Sequence, residues 1–294
     1  MWNVRVAQPA KAVHPTSSTR AHEGKRLAGG AEPISGEPNP GCRGAQGVAR
    51  SAGTGYVGFM ETRAAGPSGD RSGNGRWSWS DVAGDVEAVI FDMDGVLLDT
   101  EKLYTEATLR VLEPYGKQFD WSIKSRMMGR APLVSAQVLI EALDLPLTPE
   151  EFLEAKRPWL ERLFPTCEPM AGAVELVERL SARGLPLAVA TSSERTYFER
   201  KTQNHPWFAR FHAVICGSDP EVERHKPAPD IFLAAARRLG MKPEACLVFE
   251  DSVAGVEGAL AAGAKVVAIP APQADRALFR GAHWVVESLR DVVL

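Results

Sequence analysis

The feature that most constrains the fold is a series of short apolar runs, each of which ends in polar residues. The first run, VEAVIFD, ends at Asp92, and four more follow at residues 185–193, 211–217, 245–251 and 264–270. Continuous apolar runs of this length are typical of strands that are buried on both faces. We therefore predict a parallel sheet with helices covering each side.

The segments between these runs have helical spacing. Residues 172–184 place apolar side chains on one face and end in an Arg-Gly pair, which is a helix C-terminal signal. Residues 229–240 begin with proline and end in glycine, while residues 252–263 are rich in small side chains that suit close packing on a sheet. Strands that alternate with short helices indicate an α/β fold with a doubly wound, Rossmann-like parallel sheet.

One stretch interrupts this alternation. Residues 104–170 contain amphipathic segments but no comparable strand run. Within them, Thr148 followed by Glu151 is a capping-box pattern, and Pro149 occupies the expected first helical position. We therefore predict a small α-helical cap domain at residues 104–170, inserted into an α/β core formed by residues 85–103 and 171–294.

The first 84 residues differ in composition from the rest. Residues 1–84 hold 15 of the 26 glycines and carry 10 Lys/Arg against 6 Asp/Glu, without helical or strand periodicity. Because such a segment buries too little apolar surface to offset its ordering entropy, we expect a disordered N-terminal extension. Its first 22 residues are basic and lack acids, which weakly matches a mitochondrial presequence. The alternative is an alternative-exon extension, with Met60 as an internal start.

Charge and cysteine content exclude several classes of protein. The formal net charge of −3 argues against a protein that coats nucleic acid or an anionic membrane, and no apolar run is long enough for a transmembrane helix. The four cysteines, at positions 42, 167, 216 and 246, are scattered without a C-x-x-C pair, which favours reduced thiols over disulfides or zinc. We expect a cytoplasmic protein, or a mitochondrial one if the extension is a presequence. The sequence does not indicate an oligomeric state.

Polar side chains that could take part in catalysis or binding lie at the predicted strand ends. Ligands of open parallel sheets bind beyond the carboxyl ends of the strands. The residues predicted there are Asp92, Asp94, Thr191, Ser192, Lys226, Glu250 and Asp251. Each of them alone has an ordinary explanation as a helix cap, a turn residue or a solvated charge. Together, the carboxylates would repel one another unless a cation compensates them, and Mg²⁺ typically binds a few carboxylates together with phosphate and water. The set predicts a site for Mg²⁺ and a phosphate group.

Four motifs resemble those of a known family. DMDGVLLDT (92–100), ATSS (190–193), KPAPD (226–230) and FEDS (249–252) are similar, in this order and spacing, to the signature motifs of haloacid-dehalogenase-like phosphohydrolases. The resemblance extends over essentially all of residues 85–294. It implies that Asp92 is the nucleophile that forms an aspartyl-phosphate intermediate. It also implies that Asp94 protonates the leaving oxygen and then activates water.

The same resemblance assigns the remaining site residues. Thr191 and Ser192 would bind the phosphoryl oxygens, and Lys226 would neutralise their charge while holding Asp92. The Mg²⁺ ligands implied by the family are Asp92, Asp251 and the backbone carbonyl of Asp94, with Glu250 as a further ligand or an outer partner.

Three details narrow the expected reaction. Dehalogenases lack an acid at the position of Asp94, so its presence favours phosphoryl transfer. Related sugar-phosphate mutases carry a histidine where this chain has Tyr104, which makes a mutase less favoured without excluding it. The cap, inserted between the first two motifs, suits a small phosphorylated metabolite. Arg130 in the cap is a candidate substrate contact, with a surface turn residue as the equal alternative.

Longer runs point to one subfamily. Residues 113–130 and 246–263, among others, resemble the animal pseudouridine-5'-phosphatases. That resemblance implies hydrolysis of pseudouridine 5'-phosphate to pseudouridine and phosphate, with a small-molecule phosphomonoester as the binding partner and no nucleic-acid polymer or membrane. The alternatives are a phosphosugar or glycerol-phosphate phosphatase, a β-phosphoglucomutase-like mutase, and, less favoured, a non-catalytic interaction protein.

Overall fold

Six parallel strands form one sheet in the order β3-β2-β1-β4-β5-β6 in the computed structural model, which describes residues 85–293. The strands are β1 (Ala88–Phe91), β2 (Leu187–Thr191), β3 (Ala213–Cys216), β4 (Cys246–Glu250), β5 (Lys265–Ala268) and β6 (Trp284–Val285). The chain builds outward from β1 first on one side and then on the other, which is the doubly wound, Rossmann-like order. The predicted α/β fold is confirmed. The predicted disorder of residues 1–84 lies outside the described residues.

Eight α-helices occur in residues 85–293. They are α1 (Glu101–Leu112), α2 (Trp121–Met127), α3 (Pro132–Leu143), α4 (Pro149–Leu163), α5 (Ala173–Ala182), α6 (Arg195–Thr202), α7 (Asp230–Arg238) and α8 (Val253–Ala261). Short 3₁₀ turns lie at Glu113–Tyr115, Phe164–Thr166, Pro206–Arg210, Pro243–Ala245, Arg276–Phe279 and Leu289–Asp291. None of the helices in this part of the chain is long and apolar enough to cross a membrane.

The strands are mostly apolar because both faces of the sheet are covered, and the polar exceptions, Thr191, Glu250 and Lys265, lie at strand ends. On β1, Val89 and Phe91 belong to a cluster with α1 and α5, whereas Ala88 and Ile90 belong to a second cluster with α7 and α8. All four side chains are fully or almost fully buried. The ring of Phe91 stacks on that of Phe249 in β4, with centroids 4.9 Å apart. This alternation to opposite faces follows from the period of two residues in a strand.

Helices α1–α4, which we call the cap helices, have an apolar cluster of their own. Its buried members are Val111, Leu112, Ile123, Ala136, Leu139, Leu145 and Phe152. The predicted capping box begins α4: the hydroxyl of Thr148 accepts from the Glu151 amide at 3.2 Å, and the Glu151 carboxylate accepts from the Thr148 amide at 2.8 Å. The boundaries of the cap as a domain, residues 104–170, remain a prediction.

We expect Leu139→Ala to destabilise the protein by about 2–5 kcal/mol, because it removes buried methyl groups from the cap cluster and leaves a cavity. The matched control is Leu133→Ala on the same helix, where the side chain is 50% exposed and the loss should stay within about 0.5 kcal/mol. Urea unfolding of both variants measures the difference. Equal losses at the two positions would contradict a packed core inside the cap helices.

Candidate active site

The crevice at the carboxyl ends of β1, β2 and β4 gathers most of the predicted site residues. Asp92 follows β1 directly, Thr191 ends β2, and Glu250 ends β4 with Asp251 next to it. Because β1 pairs with both β2 and β4, these residues meet at one sheet edge. The Asp92 amide donates to the Phe249 carbonyl at 2.9 Å, which continues the ladder to the last residue before the crevice.

Lys226 joins two of these carboxylates. Its ammonium donates to Asp92 Oδ1 and to Glu250 Oε1, both at 2.5 Å, and to the Ala190 carbonyl at 3.3 Å. All three charged side chains are buried, and Glu250 is fully so. The second carboxylate oxygen of Glu250 accepts from the Ser252 amide and hydroxyl at 2.9 and 3.0 Å. Glu250 therefore orients Lys226 and the loop that follows β4.

Asp251 lies beside this pair without a protein cation of its own. Within residues 85–293 its carboxylate makes no hydrogen bond and no ion pair, although the residue is buried. Burial, together with the charges of Glu250 and Asp92, raises the pKa of Asp251 well above its usual value. Gly95 makes room for it: the glycine has φ +86°, and a Cβ there would lie 2.2 Å from Asp251 Oδ2.

The pKa of Asp92 is also raised, to about 8. Burial is the main cause; the charges of Glu250 and Asp94 add to it, and Lys226 opposes it. Three carboxylates, those of Asp92, Glu250 and Asp251, thus lie together, and Lys226 forms ion pairs with the first two only. Clustered carboxylates with too little positive charge have the donor chemistry that a divalent cation requires.

The residues fit Mg²⁺ as such a cation. The carboxylates of Asp92 and Asp251 are adjacent, and no donor within the described part of the chain is bonded to the Asp94 carbonyl. No group of three or more His, Cys, Asp or Glu side chains in residues 85–293 is arranged to hold a metal by itself. Mg²⁺ commonly needs only one or two carboxylates, because water and substrate phosphate complete its shell.

Asp94 has a different environment. Its carboxylate accepts from the Lys201 ammonium, from the Thr100 hydroxyl at 2.5 Å and from the Ser193 hydroxyl at 2.9 Å. Thr191 also donates to it, at 3.2 Å. Burial acts to raise the pKa of Asp94, but the charge of Lys201 and these hydrogen bonds hold it below its usual value. The structure therefore stabilises the ionised form of this carboxylate.

Lys201 and Ser193 are site residues that sequence reasoning missed. Lys201 on α6 is fully buried, and its ammonium also donates to the Tyr104 hydroxyl at 2.9 Å and the Ser193 hydroxyl at 2.8 Å. Burial opposes the charge on Lys201, yet Asp94 and Tyr104 raise its pKa above the usual value. The available signal was its place on α6, the helix that directly follows the polar end of β2.

The crevice opens into a cavity of about 170 Å³ between the core and the cap helices. Core residues in its wall include Asp92, Asp94, Ser192 and Asp251. The cap helices and the loops between them contribute apolar side chains, namely Phe119, Met127, Met128, Phe152, Leu153 and Leu160, and also polar ones, among them Glu101, Tyr104, Thr105, Lys124 and Lys156. Arg130 also lines the cavity, but its side chain is exposed and makes no hydrogen bond to the described residues.

Gly129 brings the cap against the core at this cavity. It has φ +72°, and a Cβ there would lie 2.3 Å from the Ser252 hydroxyl oxygen. The loop between α2 and α3 therefore touches the loop that carries Asp251. A side chain at this position would push the two loops apart.

Comparisons with known proteins agree with this fold. A family model described as haloacid dehalogenase-like hydrolase matches residues 86–263. The chain is 42% identical over 214 residues to (DL)-glycerol-3-phosphatase 1, mitochondrial, of Arabidopsis thaliana, covering 71% of this chain and 72% of that protein. It is 45% identical over 210 residues to the protein named probable pseudouridine-5'-phosphatase of Drosophila melanogaster, covering 70% and 91%.

A solved structure of this family has a similar fold. The crystal structure of a HAD family hydrolase from Deinococcus radiodurans with bound phosphate and sodium superposes with a TM-score of 0.59 at 29% identity, covering 70% of this chain and 93% of that one. The family match spans most of the described residues, and two relatives exceed 40% identity over most of their own length. The chain therefore belongs to the haloacid dehalogenase-like hydrolases.

Proposed function

We propose that the protein is a Mg²⁺-dependent phosphomonoester hydrolase that works through an aspartyl-phosphate at Asp92. The observation that carries this proposal is that the carboxylates of the crevice are not all paired with a cation. Lys226 holds Asp92 and Glu250, while Asp251 beside them has no cation within the described residues. Such a site has room for a divalent cation and for the phosphate that the cation attracts.

In the first half of the reaction, Asp92 attacks phosphorus. Lys226 binds Oδ1 of Asp92, and Oδ2 carries no hydrogen bond from residues 85–293, so Oδ2 is the free nucleophilic atom. A bond forms between Oδ2 and phosphorus as the ester P–O bond breaks. The departing oxygen takes a proton that Asp94 must carry in this step, although Lys201, Thr100 and Ser193 favour its ionised form when no substrate is bound, and the alcohol leaves. Lys226 and the Thr191 hydroxyl stabilise charge on the phosphoryl oxygens.

In the second half, Asp94 acts as a base. Its carboxylate takes a proton from water, the water oxygen attacks phosphorus, and the bond to Asp92 breaks. Inorganic phosphate and the free Asp92 carboxylate result. The contacts of Asp94 with Lys201, Thr100 and Ser193 favour its ionised form, which is the form that this step needs.

The carboxylates of Asp92 and Asp251 and the backbone carbonyl of Asp94 would hold Mg²⁺. When bound, the ion supplies positive charge that offsets the carboxylates and polarises the phosphoryl group. Glu250 would be an outer partner and would not bind the ion itself, because its carboxylate accepts hydrogen bonds from Lys226 and Ser252. Ser192 lines the cavity next to Thr191, where its backbone or hydroxyl can meet a phosphoryl oxygen.

We further infer that the substrate is pseudouridine 5'-phosphate. The apolar cap wall formed by Phe119, Met127 and Phe152 suits a flat unsaturated ring more than a polyol chain. The 45% identity to the Drosophila protein supports the same choice. Arg130 at the rim of the cavity is a candidate contact for the ribose or the phosphate.

A second candidate is a phosphatase of glycerol phosphate or a phosphosugar. The observation that favours it is the 42% identity to the Arabidopsis glycerol-3-phosphatase. A β-phosphoglucomutase-like mutase is less favoured, because the Tyr104 hydroxyl is bonded to Lys201 and is not a histidine that could shuttle a proton.

The cellular setting that we propose is the cytoplasm. Cys167, Cys216 and Cys246 are buried free thiols, which suits a reducing compartment. A mitochondrial location is the alternative if residues 1–84 include a presequence, and the Arabidopsis relative carries the word mitochondrial in its name.

The proposed substrate predicts an order of catalytic efficiency among phosphomonoesters. Purified protein should release phosphate from pseudouridine 5'-phosphate with a kcat/KM at least about 10-fold above that for glycerol 3-phosphate or fructose 1-phosphate, because the cap wall binds the base. A phosphate-release assay over this panel, with Mg²⁺ present, measures it. Faster turnover of glycerol 3-phosphate would support the second candidate instead.

The proposed metal predicts a stability change that does not depend on turnover. Mg²⁺ at 100 times its dissociation constant should stabilise the protein by about 2.7 kcal/mol, seen as a higher Tm. Asp251→Asn should abolish most of this gain, because it removes a ligand carboxylate. Glu257→Gln, an exposed acid on α8, is the matched control and should keep the gain. An equal Mg²⁺ response in both variants would refute the assignment of Asp251.

A further inference from the structure

One buried cation in the cavity wall has no role in the mechanism above. Lys156 lies in the middle of α4 and is only 7% exposed. Its ammonium is 5.1 Å from the centroid of the Tyr104 ring and 5.7 Å from that of Phe152. Among residues 85–293 nothing accepts a hydrogen bond from it and nothing forms an ion pair with it. The side chain lines the same cavity as Asp92 and Asp94.

The protein does not supply a counter-charge for this ammonium. Burial is the main cause that lowers the pKa of Lys156 to about 8, and Lys124 and Lys201 add to it. Glu101 acts in the opposite direction, but its carboxylate already pairs with Lys124 at 3.2 Å. A buried charge without an ion pair or a hydrogen bond is unfavourable, and the rings of Tyr104 and Phe152 offset only part of this cost, so a lysine here weakens the folded state unless something that enters the cavity binds it.

The chemistry of Lys156 and of its neighbours indicates which kind of ligand group would bind there. An ammonium offers three donors and no acceptor, so it selects an oxygen acceptor. The rings of Tyr104 and Phe152 lie beside the ammonium, and Phe119, Met127 and Leu153 line the same cavity, so aromatic and apolar surface is available for a flat ring. A flat ring that carries acceptor oxygens describes a nucleobase with carbonyl groups, whereas a polyol carries hydroxyl groups and no flat face.

The position of Lys156 decides which end of the substrate it meets. Asp92 and Asp94 belong to the core crevice, where the phosphoryl group reacts, and Lys156 reaches the same cavity from α4 of the cap helices. A substrate with its phosphoryl group at Asp92 therefore presents its leaving group to the cap helices. A hydrogen-bond donor on α4 is therefore placed to meet the leaving group of the substrate.

We propose that Lys156 is a specificity-determining residue that donates a hydrogen bond to a carbonyl oxygen of the base of a nucleoside 5'-monophosphate. The inference rests on the proposed phosphatase function and adds the residue that distinguishes a nucleotide from a simple sugar phosphate. Two substrates isolate this contact, since pseudouridine 5'-phosphate and ribose 5-phosphate share the reacting phosphate and differ in the base.

The test is Lys156→Met, which keeps the length of the side chain and removes its donors. For pseudouridine 5'-phosphate we expect kcat/KM to fall about 10- to 100-fold, mainly through a higher KM, as for other hydrogen bonds to a charged group. For ribose 5-phosphate we expect a change of less than about 3-fold, because no base is present to lose the contact. Turnover of ribose 5-phosphate also shows that the variant is folded.

The matched control is Lys117→Met, which removes a lysine of the same cap region that is exposed to solvent, and both substrates should keep their wild-type rates. A loss in Lys156→Met that is equal for the two substrates, or no loss at all, would overturn the inference and leave the phosphatase proposal intact. A wild-type protein that prefers glycerol 3-phosphate would instead overturn the proposed substrate before any variant is compared.

Discussion

The site depends on the ion pairs of one buried lysine. Lys226 lies between Asp92, at the end of β1, and Glu250, at the end of the neighbouring β4, and bonds to both at 2.5 Å. Without this cation, two carboxylates on adjacent strands would face each other in a buried crevice and could not both stay ionised. The contact also leaves one oxygen of Asp92 free. Lys226 therefore determines both the position of Asp92 and the balance of charge in the crevice.

A second lysine produces the opposite electrostatic result at Asp94. Lys201 and three hydroxyl groups surround that carboxylate and lower its pKa, whereas burial raises the pKa values of Asp92 and Asp251. Carboxylates with pKa values shifted in opposite directions are suited to different roles. In this site Asp94 is held in the ionised form, which can accept a proton from water, while Asp251 is suited to a cation and Asp92 to phosphorus.

The sequence predicted the core of the site because the relevant residues follow strands that are apolar on both faces. Asp92, Thr191 and Asp251 come directly from that pattern and from the rule for strand ends, and the structure gathers them in the crevice. The last strand, β6, was not predicted because two residues give no pattern. The roles assigned to the individual residues remain predictions.

Contacts between distant segments were beyond sequence reasoning. Lys201 looks like an ordinary charge on a short polar helix, and only the packing of α6 shows that it is fully buried against Asp94. Glu250 was predicted as a metal ligand or an outer partner, and only its bonds to Lys226 and Ser252 favour the outer position. Lys156 belongs to the same group, because periodicity alone cannot show that its neighbours provide no counter-charge.

In the proposed reaction, Asp92 carries the phosphoryl group between the two halves. Quenching the enzyme with acid during turnover, digesting it and mapping the peptides by mass spectrometry tests this role. We expect one phosphoryl group on the peptide that contains Asp92, absent when Asp92 is replaced by asparagine. A phosphoryl group on another residue, or turnover by that variant at the wild-type rate, would contradict it.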